Sequence, residues 1–420
     1  MSDIMQRIRD VQHFGEEGGV VPDINMAATS TFLNPEDMVK TFHGEKKGCY
    51  LYSRHSNPTV NMFSAKMAAI ENSEAALGVS SGMAAISSTI EQIMAETNIE
   101  NSKNPAGHKI NSGKGSQEAG GEIVSSLTVY GGTYALFKNI FPRQGIHTKF
   151  VNINNLNEVE AAITPRTKLI YTETMSNPLL NISDIQKLSA LCKKKKIKLV
   201  VDNTFSPLIV SPIKWGADVV IHSCTKFISG SGDMIAGVIC ASSEFIASLI
   251  DVNSGVVMLK GPTMDARIAH ELYLRLDHLP IRIKAHSEAA QFFAAAIEAA
   301  GVPTVYPGLK SHPHHSLLRE MMNPEFGFGS MIAIDLVDPH RAMRLAQKLQ
   351  EEKFGLYAVS LGFSRTLMSC PSVSTSSEVT EEDQKLMNLS PGLLRLSIGF
   401  TGDNKIMLER FLKCWRSLAL

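Results

Sequence analysis

Short apolar runs alternate with helical patterns between about residues 75 and 245 of this chain. The runs carry polar residues mainly at their ends, which is typical of strands that are buried on both faces of a sheet. The alternation predicts βαβ units, and therefore an α/β fold with a mainly parallel sheet covered by helices. The predicted strands span residues 122–125, 150–153, 169–172, 199–202, 219–222 and 235–240.

The rest of the chain predicts two further units. Residues 1–60 read as an irregular arm, residues 61–263 as the large α/β domain, and residues 264–420 as a smaller α+β domain. The smaller domain begins with one long helical pattern that ends at Gly301, and its predicted strands are 331–336, 357–360 and 394–398. Ser183 is the predicted N-cap of an earlier helix, and the polar segment 98–120 is predicted to be a surface loop.

Polar side chains follow two consecutive predicted strands of the large domain. Asp202 ends one strand, and Lys226 follows the next, with Ser223 and Thr225 beside it. Ligands of open α/β sheets bind outside the carboxyl ends of the strands, so these groups are expected to converge. A lysine near an acid and hydroxyls suits a Schiff base with pyridoxal 5'-phosphate (PLP), in which the acid pairs with the ring nitrogen and the hydroxyls hold phosphate. The alternative is that Lys226 is a solvated residue after a buried strand.

The segment from Gly78 to Ile86 passes from small residues into an Ala-rich helix. Free backbone N–H groups at such a helix start attract phosphate, although an ordinary cap has the same pattern. The chain contains no GxGxxG and no Walker sequence, so a dinucleotide or a nucleoside triphosphate is less favoured.

Two aromatic segments are candidates for contacts with a planar, phosphorylated ligand. Tyr130 follows a predicted strand and could stack on a cofactor ring and transfer a proton; the alternative is an aromatic lid over the core. Tyr52 and Arg54 lie two residues apart, which places both on one side of an extended segment. The donor fork of Arg54 matches phosphate oxygens, but a surface salt bridge fits it equally.

Two residues near the C-terminal strands are candidates for substrate contacts. Ser360 lies beside an apolar run, and Arg395 is flanked by leucines, so a partly buried guanidinium is expected to need an anion. That anion is either a substrate carboxylate or a structural Asp or Glu. In the segment from His312 to His315, proline interrupts the helical spacing and no carboxylates cluster, so we predict no metal site.

Composition excludes several partners. The charges of the 41 basic and 41 acidic side chains cancel, so the chain has no net charge that would attract nucleic acid or an anionic membrane. No apolar run approaches the roughly 20 residues of a membrane-spanning helix, and the amino terminus lacks the apolar core of a signal peptide. The six cysteines are scattered, which predicts neither a disulfide framework nor a zinc site. We therefore expect a cytoplasmic protein without nucleic-acid or membrane partners.

Taken in order, four motifs resemble the γ-subfamily of PLP enzymes of cysteine and methionine metabolism, the cystathionine γ-synthase-like enzymes. They are Tyr-Ser-Arg-x-x-Asn-Pro-Thr from Tyr52, Ser-Ser-Gly-Met from Ser80, Val-Asp-Asn-Thr from Val201 and Ser-x-Thr-Lys from Ser223. The resemblance covers nearly the whole chain and implies the fold type I architecture of PLP-dependent transferases. Finer segments resemble the plant-type methionine γ-lyases: Phe14-Gly15-Glu16, Tyr306-Pro307-Gly308-Leu309, Leu367-Met368-Ser369-Cys370 and Ser374-Thr375-Ser376-Ser377.

The resemblance implies cofactor and catalytic roles. Lys226 would hold PLP as a Schiff base and move protons at Cα and Cβ, Asp202 would pair with the ring nitrogen, and Tyr130 would stack on the ring and act as acid or base toward the leaving sulfur. The phosphate would be held by a set of hydroxyls, backbone N–H groups and residues from a neighbouring subunit: Ser223, Thr225, Gly82, Met83, and the neighbour's equivalents of Tyr52 and Arg54.

The substrate and the assembly are implied in the same way. Ser360 and Arg395 would hold the substrate carboxylate, with Asn177 between cofactor and substrate. The substrate would be a small sulfur amino acid, and the assembly a homotetramer built from dimers that share active sites, to which the arm 1–60 contributes.

The implied reaction is the α,γ-elimination of L-methionine to methanethiol, 2-oxobutyrate and ammonia. The alternatives are γ-replacement on an O-acylhomoserine, as in cystathionine γ-synthase or homoserine sulfhydrylase, cleavage of cystathionine, and a PLP-binding scaffold without turnover. The chain departs from bacterial and protozoan methionine γ-lyases at Gly132, where those enzymes carry cysteine.

Overall fold

The computed structural model describes residues 3–11, 19–46, 48–102, 120–374 and 378–418. Among these residues, a seven-stranded sheet has the order β1-β7-β6-β5-β4-β2-β3. The strands from β3 through β6 are parallel neighbours, whereas β7 is antiparallel to both β6 and β1. The strands are β1 (Ala75–Val79), β2 (Glu122–Ser126), β3 (His147–Val151), β4 (Thr167–Glu173), β5 (Lys198–Asp202), β6 (Val219–Ser223) and β7 (Gly237–Ala241).

The central strands are buried because helices cover the sheet. Ile170 in β4, Val200 in β5 and Val220 in β6 have no exposed surface. Parallel strands require crossover connections, and here helices supply several of them. The predicted α/β fold with a mainly parallel sheet is therefore confirmed.

A second sheet lies in the C-terminal part of the described chain. Its order is β10-β11-β12-β9-β8, with β10 and β11 parallel and the other neighbours antiparallel. It has its own hydrophobic core, in which Ile334 and Leu396 pack with Phe293 and Phe411 from helices. This is a smaller α+β unit, while the domain limits at residues 60 and 263 stay predictions. The strands are β8 (Thr304–Val305), β9 (Met331–Asp335), β10 (Leu356–Tyr357), β11 (Leu367–Ser369) and β12 (Leu393–Ser397).

The helices surround both sheets. In chain order they are α1 (Asp3–Asp10), α2 (Pro35–Phe42), α3 (Pro58–Glu71), α4 (Gly82–Ser102), α5 (Gly131–Ala135), α6 (Leu156–Ala162), α7 (Ile185–Lys195), α8 (Ser243–Leu249), α9 (Val256–Lys260), α10 (Ala266–Asp277), α11 (Leu279–Ala299), α12 (His315–Met321), α13 (Pro339–Glu351), α14 (Glu381–Leu386) and α15 (Asn404–Ser417).

Two helix predictions were wrong in detail. The pattern up to Gly301 is two helices, α10 and α11, that break at His278. Pro280 explains the break, because proline lacks an N–H group and its ring clashes with the carbonyl four residues earlier. The N-cap of α7 is Asp184, which accepts a bond from the Lys187 N–H, whereas the Ser183 hydroxyl is bonded to the backbone of β4.

Several strand predictions also needed correction. Residues 357–360 were predicted as a strand, but β10 ends at Tyr357 and Ser360 has a positive φ of 90° that no strand allows. The strand predicted at 235–240 begins at Gly237, and β1 was not among the predicted strands because it is rich in alanine and glycine rather than β-branched residues.

Some predictions lie outside the described residues. The segment predicted as a loop at 98–120 begins within α4, which runs to Ser102, and residues 103–119 lie outside the description. The Phe14 motif and Thr375 to Ser377 also lie outside it. Within the described ranges, no helix is long and apolar enough to cross a membrane.

Candidate active site

The ends of β5 and β6 and the start of α4 meet at one edge of the central sheet. A Cβ atom on Gly82 would lie 2.7 Å from Cβ of Ser223, so only glycine lets α4 begin this close to β6. The first helical bond here is donated by Ala85 to Ser81, which leaves the N–H groups of Gly82 and Met83 at the open end of the helix. An anion-binding cradle therefore faces Ser223.

Asp202 ends β5 beside this cradle. Its Oδ1 accepts the Thr204 N–H at 2.9 Å, and its Oδ2 accepts the Tyr171 hydroxyl at 3.4 Å. The Thr204 hydroxyl in turn accepts the Ser223 N–H at 2.9 Å, which fixes β6 relative to β5. Burial raises the pKa of Asp202, while these donors oppose the rise. A cationic ring nitrogen would favour the ionised carboxylate here.

Lys226 lies in the turn after β6 and points at Ser360. Its Nζ donates to Ser360 Oγ at 2.9 Å. Burial, followed by the positive charge of Arg395, lowers the pKa of the Lys226 amine to about 8. A useful fraction of the amine is therefore neutral near physiological pH, as nucleophilic attack on an aldehyde requires.

Arg395 lies in β12 and is only 3% exposed. It donates to Asn177 Oδ1 at 2.7 Å and to the Ser360 carbonyl at 3.2 Å. Both acceptors are uncharged, and the ion pairs of the described residues include none with Arg395. Burial lowers its pKa to about 10, which still leaves the guanidinium charged at neutral pH. The structural Asp or Glu considered as its partner is therefore not found among these residues, and an incoming carboxylate fits the charge.

Tyr130 precedes α5 and borders the same cavity. The residue is 41% exposed, and its backbone N–H donates to Glu173 at 2.6 Å. Burial, with the nearby Glu378 charge, raises the pKa of the phenol, so its protonated form is favoured. The Asn177 N–H donates to the same Glu173 carboxylate at 2.8 Å.

The structure brings most of the predicted residues to one cavity of about 290 Å³. A wider groove of about 830 Å³ adjoins it, and the two share residues that include Thr225 and Ser360. The predicted residues that line the cavity are Lys226, Asp202, Ser223, Thr225, Gly82, Met83, Tyr130, Ser360, Asn177 and Arg395.

Tyr52 and Arg54 are the two predicted residues that do not line this cavity. Tyr52 is 47% exposed, and the Arg54 guanidinium lies 5.4 Å from its ring centroid. Arg54 donates to the Met258 carbonyl at 2.7 Å. Their predicted contact with a neighbouring subunit's site stays a prediction.

Sequence reasoning missed Glu173, which also lines the cavity. Glu173 is the last residue of β4 and pairs directly with Asp202 in β5. The rule that identified Asp202, a polar residue at the end of an apolar strand, would have found it.

A buried polar cluster lies behind the site. Glu71 at the end of α3 bonds to Nε2 of His222 at 2.7 Å and to Nδ2 of Asn203 at 3.1 Å, and neither Glu71 nor His222 has exposed surface. Asn203 also donates to the Val210 carbonyl at 2.8 Å. The cluster anchors the loop that follows Asp202.

Two histidines of the run at 312–315 make hydrogen bonds to the backbone. His314 Nδ1 accepts the Ile182 N–H at 3.1 Å, and His315 Nδ1 bonds to the Pro307 carbonyl at 2.9 Å. The described part of the chain has no cluster of three or more His, Cys, Asp or Glu side chains that could hold a metal ion.

Comparison with known proteins assigns the site to a family. The family model described as Cys/Met metabolism PLP-dependent enzyme matches residues 8–100 and 109–407. The chain belongs to this family. The Cys/Met metabolism family is PLP-dependent, and the anion cradle, the Asp202 carboxylate and the Lys226 amine fit the phosphate, ring nitrogen and aldehyde of that cofactor.

Individual members of the family are similar over nearly the full length. A methionine gamma-lyase of Arabidopsis thaliana is 41% identical over 97% of this chain and 89% of its own. An L-methionine gamma-lyase of Fusobacterium nucleatum subsp. polymorphum is 33% identical over 91% of this chain and 90% of its own. Among solved structures, cystathionine gamma synthase from Xanthomonas oryzae pv. oryzae, in complex with aminoacrylate and cysteine, superposes with a TM-score of 0.85 at 25% identity, covering 100% of this chain and 99% of that one.

Proposed function

We propose that the protein catalyses the PLP-dependent α,γ-elimination of L-methionine to methanethiol, 2-oxobutyrate and ammonia. The observation that carries the proposal is the 41% identity with a plant methionine gamma-lyase over 97% of the chain. The cavity supports it, because an amine, a buried guanidinium and a phenol all border one space of about 290 Å³.

The cofactor is assigned to one side of the cavity. The Gly82 and Met83 N–H groups with the Ser223 and Thr225 hydroxyls would hold the phosphate, and Asp202 would pair with the ring nitrogen. Lys226 would hold the aldehyde carbon, and Tyr130 would stack on the ring. Bound PLP supplies an electron sink for charge that develops on the substrate carbons.

The substrate is assigned to the other side. Arg395, already oriented by Asn177, would bind the α-carboxylate, and Ser360 would border it. Lys226 would take the protons of Cα and Cβ, since its pKa of about 8 leaves a neutral fraction. The phenol of Tyr130, whose pKa is raised, is suited to donate a proton to the leaving sulfur.

A second copy of the chain is proposed to complete the phosphate site. Tyr52 and Arg54 do not line their own chain's cavity, and the arm exposes large apolar side chains that mark an interaction surface. The wide groove beside Thr225 offers space for such an arm. The exposed apolar residues of the arm are Val20, Val21, Ile24, Met26, Leu33, Met38, Val39 and Phe42.

Mixing two inactive variants tests this sharing. Subunits carrying Lys226→Ala lack the amine, and subunits carrying Arg54→Ala lack the donated guanidinium. If sites are shared, hybrids contain some sites with both residues intact and regain activity. Light scattering gives the oligomeric state, for which we propose a homotetramer; an active monomer would contradict the proposal. The cytoplasmic location stays a prediction that cell fractionation can test.

The reaction itself is tested by comparing substrates. We expect PLP-loaded protein to cleave L-methionine without an added thiol, and Lys226→Ala to abolish this. Products that form only from an O-acylhomoserine with a thiol would identify a γ-replacement enzyme, and cleavage of cystathionine alone would identify a cystathionine lyase. A Lys226→Ala variant that leaves the cellular role intact would indicate a scaffold without turnover.

A further inference from the structure

The side-chain carboxylate of Glu173 lies between two parts of the proposed site. It ends β4 opposite Asp202, it is 5% exposed, and its side chain lines the cavity. The ion pairs of the described residues include none with Glu173. Burying a carboxylate without a cation is unfavourable unless hydrogen bonds satisfy its oxygens. The hydrogen-bond donors to Glu173 therefore explain how this side chain can be buried.

Both partners are backbone N–H groups of residues assigned to the site. Oε1 accepts the Tyr130 N–H at 2.6 Å, and Oε2 accepts the Asn177 N–H at 2.8 Å. Tyr130 precedes α5 and has no side-chain cap bond. The planar carboxyl group of Glu173 therefore fixes the backbone at Tyr130 relative to the backbone at Asn177.

The contacts of Asn177 extend this link to the rest of the site. Its Oδ1 accepts from Arg395 at 2.7 Å, Arg395 also donates to the Ser360 carbonyl, and Ser360 Oγ accepts from Lys226. The chain of contacts runs from the Tyr130 backbone through Glu173 and Asn177 to the Arg395 guanidinium, and on to the Lys226 amine.

We propose that Glu173 is a positioning residue that holds the proton-transfer side of the site, at Tyr130, in fixed register with the carboxylate-binding side, at Asn177 and Arg395. This inference rests on the function proposed above. Both carboxylate oxygens are needed, one for each N–H group. Burial and the nearby charge of Asp202 raise the pKa of Glu173, which accords with its having no cation partner.

The test is Glu173→Gln, which keeps the volume but replaces one acceptor oxygen by an NH₂ group that cannot accept an N–H bond. Glu122→Gln is the matched control: Glu122 is a partly buried strand carboxylate that also has two partners, Thr164 and Lys149, but begins β2, far from the cavity. The probe is L-norleucine, which resembles methionine in length, has a methylene group in place of the sulfur bonded to Cγ, and therefore binds without elimination. Its binding to holoenzyme is read from the visible absorption of the bound cofactor.

For Glu173→Gln we expect L-norleucine affinity and kcat/KM for methionine to fall about 10- to 100-fold, the effect of leaving one buried N–H group without its acceptor. PLP affinity should change little, and Glu122→Gln should bind L-norleucine like the wild type. Equal L-norleucine affinity in wild type and Glu173→Gln would overturn the inference. A parallel loss of PLP affinity and L-norleucine affinity in Glu173→Gln would also overturn it, because a residue with a merely structural role gives that result.

The binding readout separates this inference from the proposed function. Wild-type holoenzyme that fails to cleave methionine but binds L-norleucine more tightly than Glu173→Gln would refute the lyase and support the positioning role. Wild-type holoenzyme that neither cleaves methionine nor binds L-norleucine would overturn both.

Discussion

Gly132 determines where the Tyr130 ring can lie, and replacing it tests the role of that ring. A Cβ atom built on Gly132 lies 2.5 Å from Cε1 and 3.1 Å from Cζ of Tyr130. Carbon atoms in contact prefer separations of about 3.5–4.0 Å. In Gly132→Ala, the ring must therefore recede by about 1 Å.

The displacement is expected to affect catalysis more than stability. Misplacing a reacting group by about 1 Å can reduce the rate about 100-fold, which corresponds to about 2.7 kcal/mol. Tyr130 is 41% exposed, so the ring can move toward solvent without a clash in the core. Alanine in place of glycine within α5 favours the helix by up to about 1 kcal/mol, so Tm should not fall.

The assay is kcat/KM for methionine elimination in a double-mutant cycle. We expect Gly132→Ala to reduce it about 100-fold in the wild type. On a Tyr130→Ala background, where no ring can be displaced, the same substitution should have little further effect. An equal loss on both backgrounds, or no loss in the single variant, would refute the argument.

Three further predictions concern ionisable groups. Glu71→Ala leaves two buried donors unsatisfied, so the free energy of unfolding measured with urea should fall by about 2–6 kcal/mol, and by less in Glu71→Gln, which keeps an acceptor. In cofactor-free protein, the rate of PLP capture should rise with pH, with a midpoint at about 8, because the Lys226 amine must be neutral to react. Arg395→Met removes a positive charge near this amine and should move the midpoint to higher pH. Burial lowers the pKa of His312 from 6.5 to about 4, so its contribution to stability is complete above pH 6.5 and is lost as the pH falls toward 4. His312→Gln should flatten that dependence, and an unchanged slope would contradict it.

The grouping of the residues proposed to hold the cofactor could be predicted from the sequence because strand ends converge. Asp202, Ser223 and Lys226 occupy the carboxyl ends of adjacent parallel strands, so a local pattern and one topological rule place them together. The predicted α/β architecture follows from the same alternation of patterns.

The contacts among the residues proposed to bind substrate could be found only from the structure. Asn177 follows a strand of the seven-stranded sheet, whereas Arg395 lies in the five-stranded sheet. No local sequence pattern predicts the contact between them. The sequence left the anion partner of Arg395 open, and only the fold shows neutral acceptors around it. The sequence predicted Ser360 to lie in a strand, but its φ is positive and its hydroxyl accepts a hydrogen bond from Lys226.

The most direct test of the central claim is the stoichiometry of products from L-methionine as the only substrate. PLP-loaded protein should release 2-oxobutyrate and methanethiol in equal amounts, and Lys226→Ala should release neither. Holoenzyme that retains the cofactor's visible absorption but forms no 2-oxobutyrate from methionine would contradict the account.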